Sequence, residues 1–138
     1  MTYYQDTLKI KTNPKNFHKV TRQVEEVVAK SGIKTGLCNL FLRHTSASLI
    51  IQENADPDVL VDLANFFSKL VPEGNNYVHS TEGPDDMPGH IRSVLTHTSE
   101  QIPISGGRLV LGTWQGIYVW EHRGFSHNRE LFVHLSGE

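Results

Sequence analysis

Three groups of residues in this sequence have the types and spacing that could do chemistry. The first is the stretch RHTSASLIIQEN, residues 43 to 54, in which His44, Thr45 and Ser46 follow the apolar run Leu40-Phe41-Leu42, and Glu53-Asn54 close the next apolar run. An imidazole at a strand end can face a ligand or metal while hydroxyls and backbone amides donate to an anion such as phosphate. The same residues also suit an ordinary Ser/Thr turn whose hydroxyls bond to neighbouring backbone, and both readings stay open here. The second group is His79, Glu82, Asp85, Asp86 and His90, inside PEGNNYVHSTEGPDDMPGH, residues 72 to 90. Imidazoles favour transition metals and carboxylates favour harder ions, so the mixture fits zinc, manganese or magnesium, without the fixed spacing of an HExxH helix. Turn and cap roles for Glu82, Asp85 and Asp86 are the plain alternative. The third group is LGTWQGI, residues 111 to 117, where glycines flank Thr113, Trp114 and Gln115, followed by Glu121, His122 and Arg123 one strand later. Backbone at glycines can approach a ligand closely, Trp114 offers a stacking face and Gln115 an amide. A hairpin with a packed tryptophan is the simpler reading, and Glu121 with Arg123 reads as a surface ion pair.

Other chemistries find little support. There is no nucleophile elbow and no phosphate-cradling glycine fingerprint, and Ser46 or Ser48 would need a base that only geometry reveals. His18, His97, His122, His127 and His134 read as surface or helix residues.

The elements that must position these groups are legible from periodicity. Residues 3 to 11 alternate as a half-buried strand. Asn13-Pro14 reads as a helix start, with Phe17, Val20, Val24, Val27 and Val28 at helical spacing until Gly32. Leu37 to Leu42 reads as a buried strand, with Leu49 to Ile51 as its neighbour. Asp56-Pro57 opens a second helix, whose residues Val59, Leu60, Leu63, Phe66, Phe67 and Leu70 form a core face up to Pro72. The aperiodic run 72 to 90 is long for a structureless connection, which points to function, and a short helix begins near Asp86 or Met87. Residues 101 to 104, 108 to 112, 116 to 122 and 129 to 135 read as successive strands, mostly antiparallel given their short links. The sum is one α+β domain over residues 1 to 138, a compact sandwich-like fold with an antiparallel or mixed sheet and two or three helices.

Composition narrows the partners. The chain has 138 residues, 20% of them charged, and a formal net charge of -2, so no basic field advertises nucleic acid. A single cysteine, Cys38, lies in an apolar run and excludes an internal disulfide. No window reaches the roughly 18 apolar residues of a membrane span, and the N-terminus lacks a signal pattern, so a cytoplasmic location is expected.

Taken in order, HTSASL, QEN-DP, the Tyr77-to-Ile91 run of Tyr, His, EG, DDMP and HI, GTWQG and EHR resemble the YjbQ-type family, often called secondary thiamine-phosphate synthase, over essentially the whole chain. The resemblance implies a homotrimeric α+β domain with sites near subunit contacts. It implies a metal or anion pocket at His44, Thr45, Ser46, Glu53, Asn54, His79, Asp86, His90, Thr113, Gln115 and Glu121. It also implies joining of hydroxymethylpyrimidine diphosphate to thiazole phosphate with release of pyrophosphate. On that basis the roles expected here are a divalent ion (magnesium, manganese or zinc) on His44, His79 and His90. Glu53, Asp86 and Glu121 would be catalytic, and Thr45, Ser46, Asn54, Thr113 and Gln115 would hold phosphate. A metal-dependent hydrolase of a small phosphorylated or carbonyl metabolite, with Glu53 or Glu121 as base, and a non-catalytic trimer that binds a metabolite are the alternatives.

Overall fold

A computed structural model describes residues 1–74 and 76–138. Strand β1 (Thr2–Lys11) is followed by β2 (Phe17–Lys19), α1 (Thr21–Ser31), β3 (Thr35–Leu42), β4 (Ala47–Glu53), α2 (Pro57–Leu70), α3 (Asp86–Leu95), β5 (Ser99–Ser105), β6 (Arg108–Leu109), β7 (Gln115–Glu121) and β8 (Asn128–Gly137). These make an α+β fold with two antiparallel sheets. One runs β1-β8-β3-β5-β6, the other β2-β7-β4.

Alternation explains the layering. Cys38, Leu40 and Leu42 on β3 and Leu131, Val133 and Leu135 on β8 point one way and are buried. They meet Leu49, Ile117 and Val119 from the smaller sheet, with Val24, Val27 and Val28 of α1 completing the same core. Burial of Cys38 pushes its thiol up to about 12, so it is an inert core residue. β7 departs from alternation, since every residue from Gly116 to Glu121 is buried. Its second face is covered as well: Trp120 packs edge-on to Phe67 of α2 at 5.0 Å and stacks on Phe17 at 4.4 Å.

Four expectations are corrected. Phe17–Lys19 pairs with β7 as a strand, and the helix begins only at Thr21, because the apolar spacing at 17 and 20 belongs to a strand end and its turn. β4 does not pair back on β3. It pairs with β7 in the other sheet, Ala47 opposite Glu121 and Glu53 opposite Gln115, while β3 lies between β5 and β8. Residues 110–114 therefore form a crossover between sheets rather than a hairpin tip. Finally, α2 buries none of its residues fully, and Val61, Phe66 and Leu70 stand more than half exposed.

Candidate metal centre

α3 starts at Asp86, with Asp85 in the position before it, and Asp86 and His90 follow at i and i+4, so their side chains lie on one helix face. The irregular segment before the helix brings His79 to the same point. Gly83 turns that segment with φ of 102°, a left-handed conformation that suits glycine. His79 Nε2 lies 2.6 Å and His90 Nε2 3.1 Å from the same oxygen, Asp86 Oδ2. Among the described residues the donor atoms of His79, Asp86 and His90 all fall within 4.8 Å of one another.

A proton count shows what this convergence means. His90 Nδ1 is 2.8 Å from the carbonyl oxygen of Thr45, which can only accept, so Nδ1 carries the hydrogen. In neutral His90 the lone pair is then on Nε2, facing a carboxylate oxygen that also only accepts. Two acceptors at hydrogen-bond distance require a proton or a cation between them. The backbone carbonyl behind His90 is the usual device for fixing the tautomer of a metal-binding imidazole.

The far side of the carboxylate is also tied down. Arg123 Nη1 contacts Asp86 Oδ1 at 2.8 Å, Arg123 Nε donates to Asp85 Oδ2 at 2.9 Å, and Arg123 Nη2 donates to the Glu82 carbonyl at 2.9 Å. Gly124 N–H adds a bond to Asp85 Oδ2 at 2.7 Å. Burial alone would raise the Asp86 carboxyl, but the His79 hydrogen bond, the Arg123 charge and His90 together hold it below the usual carboxylate range. Asp85 is likewise held low: its burial is outweighed by bonds from Gly124 and Arg123. The carboxylate at the centre is therefore ionised at neutral pH.

Two imidazoles, one ionised carboxylate and a positioning arginine fit a divalent transition metal. Two histidines and one carboxylate with open positions is the donor set of catalytic zinc and non-haem iron sites, and the nitrogen donors disfavour magnesium. Exposed Glu82 stands beside it, with Oε2 3.2 Å from His79 Nε2.

The expected residues divide sharply. His79, Asp86 and His90 converge; His44 does not join them. Its Nε2 accepts from Glu130 N–H at 2.7 Å and its Nδ1 faces Arg129 at 3.4 Å, because the chain after β3 runs alongside β8. Thr45 contributes its carbonyl, not its hydroxyl. Ser46 is buried and accepts from Arg129 Nη2 at 3.1 Å. Glu121 is fully buried. It accepts from Thr12 Oγ1 at 2.6 Å and from Arg129 Nε at 2.8 Å, so its oxygens are engaged inside the fold, away from the His79–Asp86–His90 cluster. Burial raises its carboxyl, and the Arg129, Thr12 and Arg123 hydrogen bonds more than offset that, so it stays ionised and paired. The surface pair expected of Glu121 and Arg123 is thus replaced by two buried ones. Glu53, Asn54, Thr113 and Gln115 gather at the other end of the β4–β7 ladder, about 20 Å away at roughly 3.3 Å per residue over β4.

Arg129 has no place among the residues read from the sequence, while Arg123, Ser48 and His122, expected at the surface or without a partner, are buried and paired. Arg129 carried a signal: it is in phase with Leu131, Val133 and Leu135, the inward face of β8, where a cation needs a buried partner. His122 is 1% exposed and its Nε2 is 2.8 Å from Ser48 Oγ. Burial, then the Arg92 charge, push its imidazole down to about 3. Ser48 is itself fully buried, so this pair is not a nucleophile and base open to substrate.

The sequence profile described as "UPF0047 protein YjbQ-like" matches residues 6–138. The chain belongs to the YjbQ family. A UPF0047 protein of Synechocystis sp. is 64% identical over 98% of this chain and 92% of the relative, and YjbQ of Escherichia coli O157:H7 is 42% identical over 99% of each. Among solved structures, a YbjQ-like protein of unknown function from Sulfolobus solfataricus matches with a TM-score of 0.92 at 27% identity, covering 99% of each chain. A YjbQ/UPF0047 protein from Clostridium acetobutylicum matches with a TM-score of 0.88 at 38% identity, covering 95% of this chain and 99% of that one. YjbQ-like membership accounts for the order of motifs along the chain. No helix among the described residues is long and apolar enough to cross a membrane.

Proposed function

We propose that this YjbQ-like chain is a metal-dependent enzyme acting on a small phosphorylated metabolite, with a divalent ion held by His79, Asp86 and His90. The observation that carries the reading is the meeting of two imidazole nitrogens on one carboxylate oxygen, with the His90 tautomer set from behind by Thr45. A divalent ion there supplies Lewis acidity toward a phosphoryl oxygen or a departing diphosphate. Beside His90 lies a cleft of about 550 Å³ walled by Phe41, Leu42 and Val94, with His44 and Arg43 at its edge. Its apolar wall suits a heterocyclic ring, and Arg43, whose partner Glu130 is also solvent-facing, can turn to a phosphate.

The specific reaction favoured by the family resemblance is condensation of hydroxymethylpyrimidine diphosphate with thiazole phosphate. The carbon–oxygen bond to diphosphate breaks, the thiazole nitrogen forms the new bond to that carbon, and pyrophosphate leaves with the electron pair. The test is turnover of both substrates by the metal-loaded protein and by Asp86→Asn and His90→Ala. Loss of rate in both variants with folding retained is expected; equal rates in wild type and variants would refute the assignment. Elemental analysis of protein purified without chelator should give one zinc, manganese or iron per chain, lost in Asp86→Asn.

Glu82 favours a second reading. An exposed carboxylate next to the centre can hold and deprotonate a water, which is the requirement of a phosphomonoester hydrolase. Metal-dependent release of phosphate from a metabolite panel, lost in Glu82→Gln, would select it. For either reaction we propose a homotrimer as the working assembly, supported by exposed Phe41, Val94 and Leu95 around the cleft. Light scattering should return three times the chain mass, and a monomer mass would overturn the assembly.

A further inference from the structure

We infer that the cleft between α2, residues 71–73, α3 and β7 is a second ligand site, built for a small oxyanion that carries an O–H group. It shares no residue with the His79–Asp86–His90 centre and does not depend on that reading. Arg92 follows His90 by two positions, about 200° around the helix, so the two side chains leave α3 on opposite faces. The cleft has a volume of about 340 Å³, with Trp120 and Phe67 on its wall and Lys15 and Glu73 at its rim.

Two polar groups lining it are buried and incompletely used. Arg92 is 8% exposed; Nη2 donates to the Val71 carbonyl at 3.0 Å, while Nε has no partner. Among the described residues no carboxylate lies within ion-pair distance of the Arg92 guanidinium, and nearby Glu73 is engaged by Lys15 instead. A buried cation without an anion is costly, and a bound oxyanion would offset that cost. The second group is His122, whose Nδ1 is buried and unpartnered.

The hydrogens behind His122 can be counted. Thr96 Oγ1 lies 2.7 Å from the Arg92 carbonyl, which only accepts, so the single Thr96 hydrogen is donated there. The 2.7 Å contact between Thr96 and Ser48 must then use the Ser48 hydrogen. Ser48 Oγ has none left for His122, so His122 Nε2–H is the donor in their 2.8 Å bond. Nδ1 is left as a bare acceptor. The cleft thus offers an N–H donor on a permanent cation and an acceptor on a neutral imidazole. An α-hydroxy carboxylate, or a phosphate that retains a hydrogen, satisfies both; a simple carboxylate satisfies only the first.

The test is calorimetric titration of the full chain, with chelator present, using inorganic phosphate, glycolate and acetate as probes. Phosphate and glycolate should saturate at one per chain, and acetate, which lacks the O–H, should bind about tenfold more weakly. Arg92→Met should abolish binding while leaving the thermal midpoint equal to or above wild type, because an apolar side chain of similar length replaces an uncompensated buried charge. His79→Ala should bind phosphate as wild type does. On wild-type protein alone, the ¹⁵N resonance of His122 Nδ1 should start at an unprotonated position and move toward a hydrogen-bonded one as glycolate is added, a readout independent of how any variant folds. The proposal is overturned if wild type shows no saturable binding, leaving water as the only partner of both groups. It is equally overturned if binding survives Arg92→Met and is lost in His79→Ala, or if His122 Nδ1 is protonated in the free protein.

Discussion

At one end of the β4–β7 ladder Glu53 lies in a turn and accepts from the backbone of Ala55 and Asp56 at 3.1 and 3.3 Å; at the other Glu121 lies fully buried and is bonded to side chains more than a hundred residues away and on the next strand. The first end continues as it begins. Asn54 Nδ2 donates to the carbonyls of Thr113 and Gln115, and the Gln115 side chain accepts from Gly112. Its polar groups are used on backbone: Glu53 on the residues just after it, as in a turn, and Asn54 on the segment entering β7. The second end is a network of side chain to side chain contacts: Glu121 with Arg129, Arg123 with Asp85 and Asp86, and Asp86 with His79 and His90. Ionised groups held together away from water are expensive, and here each is matched by a partner of opposite charge. Similar residue types therefore do different work, decided by what their neighbours already satisfy.

The largest effect that would test this contrast is Glu121→Ala. Removing the carboxylate leaves the Arg129 guanidinium buried and unpaired, which should cost about 3–5 kcal/mol of unfolding free energy by denaturant titration. A loss below about 1 kcal/mol would mean that this end is no more demanding than the exposed one. Arg123→Met comes next. It frees Asp85 and one Asp86 oxygen while keeping the stem, and should weaken metal binding about 10–100-fold without changing which metal is bound. An unchanged affinity would reduce Arg123 to a loop staple.

Acid sharpens the comparison in a different way. Folded His122 takes up its proton only near about 3, against the unfolded value of 6.5, so between those pH values the unfolded chain holds one proton more. Stability from this group is complete above pH 6.5 and falls as pH drops toward 3, with a slope of about 1.4 kcal/mol per pH unit. His44, lowered by burial and by the Arg129 charge, adds to the loss in the same range, whereas Glu121, Asp85 and Asp86, all lowered, add theirs only once the pH falls below their ordinary carboxylate values. His122→Leu should flatten the curve between pH 6.5 and 4.5 and leave the steeper fall below that. A curve identical to wild type in the upper range would show that His122 is not the titrating group.

Much of this could be read from the chain. The α+β class, the strand at 2–11, the helix at 57–70 and the helix starting at Asp86 all follow from periodicity and caps. Partner choice was not legible: β4 is equally apolar whether it joins β3 or β7, and only the closing of two sheets over one core decides. The site split for the same reason. His44, Thr45 and Ser46 fall close to Glu53 and Asn54 only if β4 pairs back on β3, which it does not; within the group His79, Glu82, Asp85, Asp86 and His90, spacing along the irregular segment before α3 does not tell which side chains meet. Arg129 was readable from its phase on β8 and Arg123 was not, since residues after the last paired position of a strand have no alternation to follow.

The smallest effect concerns the quiet end. Asn54→Ala removes two bonds to carbonyls that stand near solvent, so water replaces most of what is lost. The cost should be about 0.5–1 kcal/mol, with metal content and affinity equal to wild type. Gln115→Ala, which loses a single bond to Gly112, should cost less. If Asn54→Ala instead removed the metal or abolished turnover, the two ends would have to act on one substrate. The division drawn from their bonding would then describe the isolated chain but not the working site.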